Sequence, residues 1–359
     1  MEVSYNALLT RATQTHRLEK HEIIRLLNAR GEEERSLFAA ADAVRADWVG
    51  DAVHLRGLIE FSNYCRNDCL YCGLRRSKQQ LQRYRMEPGE ILSVAKAGAK
   101  LGYRTIVLQS GDDWWYTSTK LAQLVEKIKR LDVAVTLSIG ERTRAEYRDL
   151  RLAGADRYLL KQETSDPALY ARLHPGQSYH HRRQCLEWLA ELGYQVGSGT
   201  MVGLPGQTVE TLADDLLFLQ TQGVDMAGIG PFIPHPQTPL SCCPPGNTGQ
   251  TLRTIAVARL LLPWAHLPAT TALAALDKNG HRKGLAAGAN VIMPDLTPQP
   301  YHGAYDIYPG KGAPLPADYH QAIRDLVRQA GRVVATTPGH SLKPVKSKDN
   351  RGEGTLDDL

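Results

Sequence analysis

The sequence predicts a closed barrel of eight parallel strands, each followed by a helix: the (βα)8 TIM-type architecture of the α/β class. Three observations carry this. From residue 51 onward, short apolar runs alternate with longer, charged amphipathic stretches. Eight such pairs follow one another, which suits a closed barrel better than an open doubly wound sheet. Helix-like stretches repeatedly end in Ala-Gly or Leu-Gly, at Ala97-Gly98, Leu101-Gly102, Ala153-Gly154, Leu192-Gly193 and Ala287-Gly288, as left-handed helix caps require.

Residues 1–50 read as an N-terminal helical extension, with apolar positions three and four apart over 21–28 and 35–44. The barrel is expected over 51–335. Its strand-like runs are 55–61, 105–109, 134–138, 157–160, 197–202, 226–229, 267–271 and 290–293. The helix-like stretches between and after them are 88–100, 120–130, 144–152, 179–192, 211–220, 252–262 and 283–286, with a last one at 317–329. The tail over 336–359 is polar and rich in Lys, Asp and Gly, and is expected to be disordered.

Composition narrows the function classes. With 42% hydrophobic and 23% charged residues, the 359-residue chain is of ordinary globular type and able to bury a large core. Lys and Arg exceed Asp and Glu by 43 to 38, but the excess is spread along the chain, so no nucleic-acid partner is expected. No apolar run reaches membrane-spanning length, and the first twenty residues carry charges of both signs without a signal-peptide core. A cytoplasmic protein without a membrane partner is the expectation.

Three of the six cysteines fall within eight residues, which in a reducing compartment points to metal rather than disulfides. Cys65-Arg66-Asn67-Asp68-Cys69-Leu70-Tyr71-Cys72 lies directly after the first strand, and active sites of such barrels sit at strand C-terminal ends. Three thiolates suit an iron–sulfur cluster with one iron open to a non-protein ligand. A structural zinc site would need a fourth ligand, from Cys185, Cys242 or a histidine, and no second C-x2-C pair exists. The polar residues Arg66, Asn67 and Asp68 argue against a merely buried trio.

This motif resembles the signature of the radical S-adenosylmethionine (SAM) superfamily. The resemblance implies one 4Fe-4S cluster on Cys65, Cys69 and Cys72, which are thereby the catalytic and metal-binding residues, with SAM bound on the open iron and cleaved to a 5'-deoxyadenosyl radical. Tyr71 would then pack beside the adenine. Within the superfamily, long strings between residues 50 and 312 resemble the FeFe-hydrogenase maturases of the HydE family. They include Arg56-Gly57-Leu58-Ile59-Glu60-Phe61-Ser62-Asn63, Val107-Leu108-Gln109-Ser110-Gly111, Met201-Val202-Gly203-Leu204-Pro205-Gly206-Gln207-Thr208 and Gly228-Ile229-Gly230-Pro231-Phe232-Ile233-Pro234-His235-Pro236. Similarity to methylornithine synthase and biotin synthase is thinner; a radical SAM mutase or sulfur-chemistry enzyme of that type is the enzymatic alternative. A zinc- or metabolite-binding barrel is the non-enzymatic one.

The resemblance places SAM against Gln109, Ser110, Ser138, Glu163, Arg182 and Met201. Gln109 and Ser110 follow the second strand, Glu163 suits a ribose hydroxyl, and Arg182 suits the SAM carboxylate. Thr136 and Ser138 alternate on the third strand and share a face. The substrate is expected at Thr136, Arg157, Met226, Thr270, Thr271 and Met293. An Arg and paired Thr in a barrel interior suggest a bound carboxylate; the alternative from sequence is Arg157 salt-bridged to Glu60 or Asp156. HydE-type enzymes imply a small iron complex carrying CO, cyanide and cysteine as substrate, with radical attack at sulfur. They also imply an electron donor such as ferredoxin or flavodoxin, and other hydrogenase maturases as partners. Two departures stand out. Lys161-Gln162-Glu163-Thr164 occupies the place of the family's Arg-His-Glu-Thr, and Lys lacks the bidentate grip of Arg. A second cluster found in some relatives uses cysteines near the C-terminus, and none follows Cys243 here.

Overall fold

The computed structural model describes residues 4–344. Strands Ala52–Ser62, Thr105–Ser110, Ala134–Ser138, Arg157–Leu159, Gln195–Ser198 and Met226–Ala227 pair in parallel in that order. Parallel bridges then join Met226 to His266 and Pro268 to Val291, and Val291–Ile292 pairs with His54 and Leu55 of the first strand. The ring is closed, and the eight-unit barrel read from the sequence is the fold.

Two expected strands break in the middle. The run 197–202 divides into Gln195–Ser198 and Met201–Val202, and 226–229 stops at Ala227 before Gly230–Pro231. A Cβ on Gly199 would stand 2.0 Å from the carbonyl oxygen of Gly228, so the two backbones cross there and the ladder resumes beyond, between Met201–Val202 and Gly230–Pro231. The seventh run, 267–271, makes only single bridges at residues 266 and 268. Thr270 instead caps the helix Thr271–Leu276 by accepting from the Leu273 amide.

The helices begin where the capping chemistry predicts. Pro88–Lys100 starts on Pro88 behind a Glu87/Glu90 capping box, and Arg144–Leu152 starts behind Thr143 and Glu146. Thr248–Leu261 is buried on every side from Thr251 onward, because the N-terminal helices Lys20–Leu27 and Glu32–Val49 cover its outer face. Arg253 fastens that contact, donating to the Leu27 carbonyl (2.8 Å) and to Glu34 (2.6 Å). No described helix is long and apolar enough to cross a membrane.

The expectation of a disordered tail from 336 needs correction for 336–344; residues 345–359 lie outside the described residues. Val333–Val334 pairs with the start of the first strand, and the following segment runs across the N-terminal end of the barrel. Arg157 donates to the Pro338 (2.8 Å) and Gly339 (2.7 Å) carbonyls, and Thr105 also donates to Pro338 (2.9 Å). His266 meets the His340 carbonyl at 3.2 Å, and Ser341 bonds Asp225. A polar composition misled here because the segment's backbone carbonyls, rather than its side chains, satisfy buried donors.

Candidate active site

A cavity of about 390 Å³ opens at the C-terminal ends of the strands. Cys65, Cys69, Cys72, Tyr71, Gln109, Ser110, Ser138, Glu163, Arg182, Met201, Thr270, Thr271 and Met293 all border it. The cysteine loop is held by close backbone packing. A Cβ on Gly111 would lie 2.1 Å from the Tyr64 carbonyl oxygen, and one on Gly73 1.8 Å from that of Asp306, so both positions require glycine. Asp68 receives a two-point grip from Arg75, at 2.9 and 2.8 Å.

All three thiols are free and accept hydrogen bonds: Cys65 from the Asp112 amide (3.4 Å), Cys69 from Gln177 (3.2 Å) and Cys72 from the Leu74 amide (3.4 Å). Burial pushes the Cys69 thiol up to about 12, with the Cys65 charge adding to it, and raises Cys65 and Cys72 as well. Three neighbouring thiolates are therefore stable only around a cationic centre, and N–H···S bonds favour the thiolate form. The donor set fits a cluster held by three cysteines. The other cysteines do not complete a zinc tetrahedron: Cys185 is buried against Arg142 and His181, Cys243 packs in a separate apolar cluster, and Cys242 is exposed.

The opposite wall carries charge. Arg182 bonds Glu141 (2.6 Å), the Lys161 carbonyl (2.6 Å) and Gln177 (3.2 Å). Burial alone would lower its pKa, but Tyr170, Glu141 and Glu163 hold it above the ordinary value. Glu163 has a φ of +67°, unusual for a non-glycine residue, and its Oε2 is buried without a hydrogen-bond partner among the described residues. Its backbone is clamped between Gly199, Thr200 and Met201, which fixes the strained conformation and aims the carboxylate inward. A ligand hydroxyl or ammonium is the natural partner for that oxygen. Tyr71 lies edge-on to Phe232 and bonds His174 at 2.9 Å, leaving an aromatic wall beside the cysteines.

Not every candidate reaches this cavity. Arg157 is fully buried at the first position of its strand and faces the sealed end, bonded to Gln195, Thr105 and the 338–339 carbonyls. Neither Glu60 nor Asp156 forms an ion pair with it; they pair with Lys311 and Lys129. Its assignment to the substrate is corrected on that ground. Thr136 and Met226 lie one layer below the main cavity, in a space of about 30 Å³ shared with Arg56 and His266. The Thr136 hydroxyl there has no partner among the described residues.

Sequence reasoning missed the wall formed by residues 305–311. Tyr305, Ile307, Tyr308 and Lys311 border the cavity, and the Tyr308 hydroxyl meets Thr271 at 2.8 Å. Lys311 sits between Glu60 (2.7 Å) and Asp295 (2.7 Å), and Asp306 is held by Lys78 (2.9 Å) and His235 (2.7 Å). Lys161, noted in sequence only as a departure, also lines the cavity.

Asp215 supports the Glu163 loop from behind. It accepts from the Ser165 amide and from Thr200 (2.7 Å), and burial pushes its carboxyl up to about 6. A carboxyl raised on folding contributes most while protonated. That contribution is full below about pH 4 and is lost as pH rises through about 6, a span on the order of 3 kcal/mol. Thermal melts between pH 4 and 7 are expected to show this slope in the wild type and a flatter one in Asp215→Asn; equal slopes would remove Asp215 as its source.

A closed (βα)8 barrel with three convergent cysteines after its first strand matches the model of the Radical SAM superfamily over residues 59–219, and the chain is a radical SAM enzyme. The "[FeFe] hydrogenase maturase subunit HydE" of Thermotoga maritima is 52% identical over 285 residues, covering 79% of this chain and 82% of that protein. The chain therefore belongs to the HydE family. The 3-methylornithine synthase of Methanosarcina acetivorans is 32% identical over 271 residues, 74% of this chain and 76% of its own. A crystal structure of methylornithine synthase (PylB) superposes with a TM-score of 0.81 at 25% identity, covering 91% and 97% of the two chains. The family implies a 4Fe-4S cluster and SAM.

Proposed function

We propose that Cys65, Cys69 and Cys72 hold a single 4Fe-4S cluster in this cavity. SAM would lie against Gln109, Ser110, Ser138, Glu163, Arg182 and Met201, with Tyr71 beside its adenine. When bound, the cluster and SAM supply a 5'-deoxyadenosyl radical. The chain's own contribution is orientation and exclusion of water. Arg182 offers charge-assisted donors to a carboxylate, and the unpartnered Glu163 oxygen accepts from a ribose hydroxyl or an ammonium. Tyr305 and Gln109, which both border the cavity, close the side facing the cysteines.

The substrate we propose is a small iron complex carrying cysteine, CO and cyanide, altered at the cysteine sulfur during assembly of the two-iron part of the hydrogenase H-cluster. Thr270, Thr271, Met293 and Tyr308 form its share of the wall, and Lys161 supplies a cation for its anionic groups. Thr136 and Met226 shape the floor beneath. A ferredoxin- or flavodoxin-type donor and other hydrogenase maturases are the implied partners. The observation that carries this reading is the meeting of three free cysteines, Arg182 and a strained, unpartnered Glu163 in one cavity of a HydE-family chain.

The test is anaerobic reconstitution with iron and sulfide, then incubation with SAM and dithionite. A brown protein that releases 5'-deoxyadenosine is expected, with release rising when an iron–cysteine–CO/cyanide complex is added. Stoichiometric zinc uptake without colour would sink the cluster assignment. Formation of 3-methylornithine, with no response to the iron complex, would move the chain's activity to that of its other relatives.

A further inference from the structure

The loop after the second strand carries two large aromatic side chains into solvent: Trp114 is 60% exposed and Trp115 37%. Neither borders the cavity. Cations crowd around them. The Arg66 guanidinium lies 4.0 Å from the Trp114 ring centre, and Lys120 Nζ lies 3.5 Å from that of Trp115. Arg85 stands over both Tyr64 (3.7 Å) and Trp115 (5.5 Å). The nearest acids, Asp112 and Asp113, are buried and pair with Arg66 (3.0 Å) and Arg85 (2.7 Å), whose side chains are 41% and 30% exposed, so the cationic partner of each pair faces outward beside Lys120, with Glu87 and Glu90 exposed at the start of the adjacent helix.

This patch lies directly outside the cysteine loop. Tyr64 and Arg66 flank Cys65 in sequence, and Trp114 is two residues from Asp112, whose amide donates to the Cys65 sulfur at 3.4 Å. A short path of covalent bonds and one hydrogen bond thus joins the exposed indole to the sulfur. Exposed tryptophans ringed by arginine and lysine are the composition of an interface centre, and a cationic rim selects an acidic partner.

We infer that Trp114, Trp115, Arg66, Arg85 and Lys120 form the docking surface for an acidic one-electron carrier protein with a flavin or iron–sulfur centre. This rests on the cluster assignment proposed above. In the step, the reduced carrier loses one electron and the cluster held at Cys65 gains it; no proton or group moves. The surface is off the cavity mouth, which suits electron delivery and does not suit a partner that hands over the substrate.

The test compares the reconstituted wild type with Trp114→Ala and Lys120→Glu, two exposed changes outside the cavity, using an acidic bacterial flavodoxin as probe. Binding is measured by calorimetry in low and high salt. 5'-Deoxyadenosine release is measured with flavodoxin hydroquinone and, separately, with dithionite. Wild-type binding is expected to weaken with salt, each variant to bind about tenfold more weakly, and flavodoxin-driven release to fall in parallel while dithionite-driven release is unchanged. Wild-type affinity in both variants, or binding indifferent to salt, overturns the assignment. So does equal loss with dithionite, which would place the defect in the site rather than on the surface. Failure of the wild type with dithionite strikes the cluster reading instead, and the binding measurement still decides the surface.

Discussion

Cys69→Ala is expected to give a folded, colourless protein that takes up no 4Fe-4S cluster and releases 5'-deoxyadenosine only at background. Cys69 would be the middle ligand of the loop, and burial drives its thiol up to about 12, so its anionic form would need the cluster's positive charge. Losing a ligand outright should exceed the 10–100-fold cost of losing an outer partner. Gln177→Ala, which removes the 3.2 Å donor to the Cys69 sulfur, should fall in that smaller range. Cys185→Ala and Cys243→Ala should leave iron content and colour unchanged, because neither sulfur borders the cavity. Iron and sulfide analysis with visible absorbance decides this. A Cys69→Ala protein that still carries four irons and cleaves SAM would overturn the ligand set.

The second large effect is on stability. Lys311→Met removes the ammonium between Glu60, which is fully buried, and Asp295, which is 5% exposed. Breaking a buried ion pair by deleting one partner costs roughly 3–5 kcal/mol, since the remaining charge keeps its desolvation penalty. A fall in melting temperature on the order of 10 °C is expected at neutral pH. In the wild type, burial would raise the Asp295 carboxyl, but His302 and Lys311 hold it below the ordinary carboxylate range. Its contribution is therefore present above that range and is lost as pH falls. In Lys311→Met the same carboxyl loses its cation and protonates more readily. The gap between the two proteins should narrow as pH drops through roughly 5 to 4. Adding Glu60→Gln should restore part of the loss; no recovery would mean that the lysine matters for packing rather than charge.

Much of this molecule is written locally. Pro88, Thr143 and the Leu-Gly and Ala-Gly pairs at 101–102, 153–154, 192–193 and 287–288 mark helix ends by chemistry confined to a few residues, whereas Ala97-Gly98 lies inside its helix rather than capping it, and Pro88–Lys100 and Arg144–Leu152 occur with the bounds the sequence predicts. The cysteines, Gln109, Ser110, Ser138, Glu163, Arg182 and Met201, named from the resemblance, border one cavity; all but Arg182, which lies in the helix Tyr179–Glu191, stand at or just beyond C-terminal strand ends, which a barrel brings together. Short helices such as Pro167–Leu173 were not seen, since seven residues hold too little periodicity. Arg157 was placed wrongly for a definable reason. Alternation tells which face of a strand a side chain takes, but not its height in the barrel. As the first residue of its strand, Arg157 belongs to the opposite end from the cysteines. Its partners at 338 and 339, and those of Lys311 at Glu60, come from far along the chain and leave no local trace.

The segment crossing the barrel's lower end also governs traffic. With Pro338 and Gly339 fastened to Arg157 and Thr105, and His340 to His266, the described residues close the end opposite the cysteines, and the cavity opens on the cysteine side. With SAM lying above the floor as proposed, whatever settles deepest would arrive before SAM and leave after its fragments, and such last-in, first-out order would hold a reactive species until the nucleoside above it has gone.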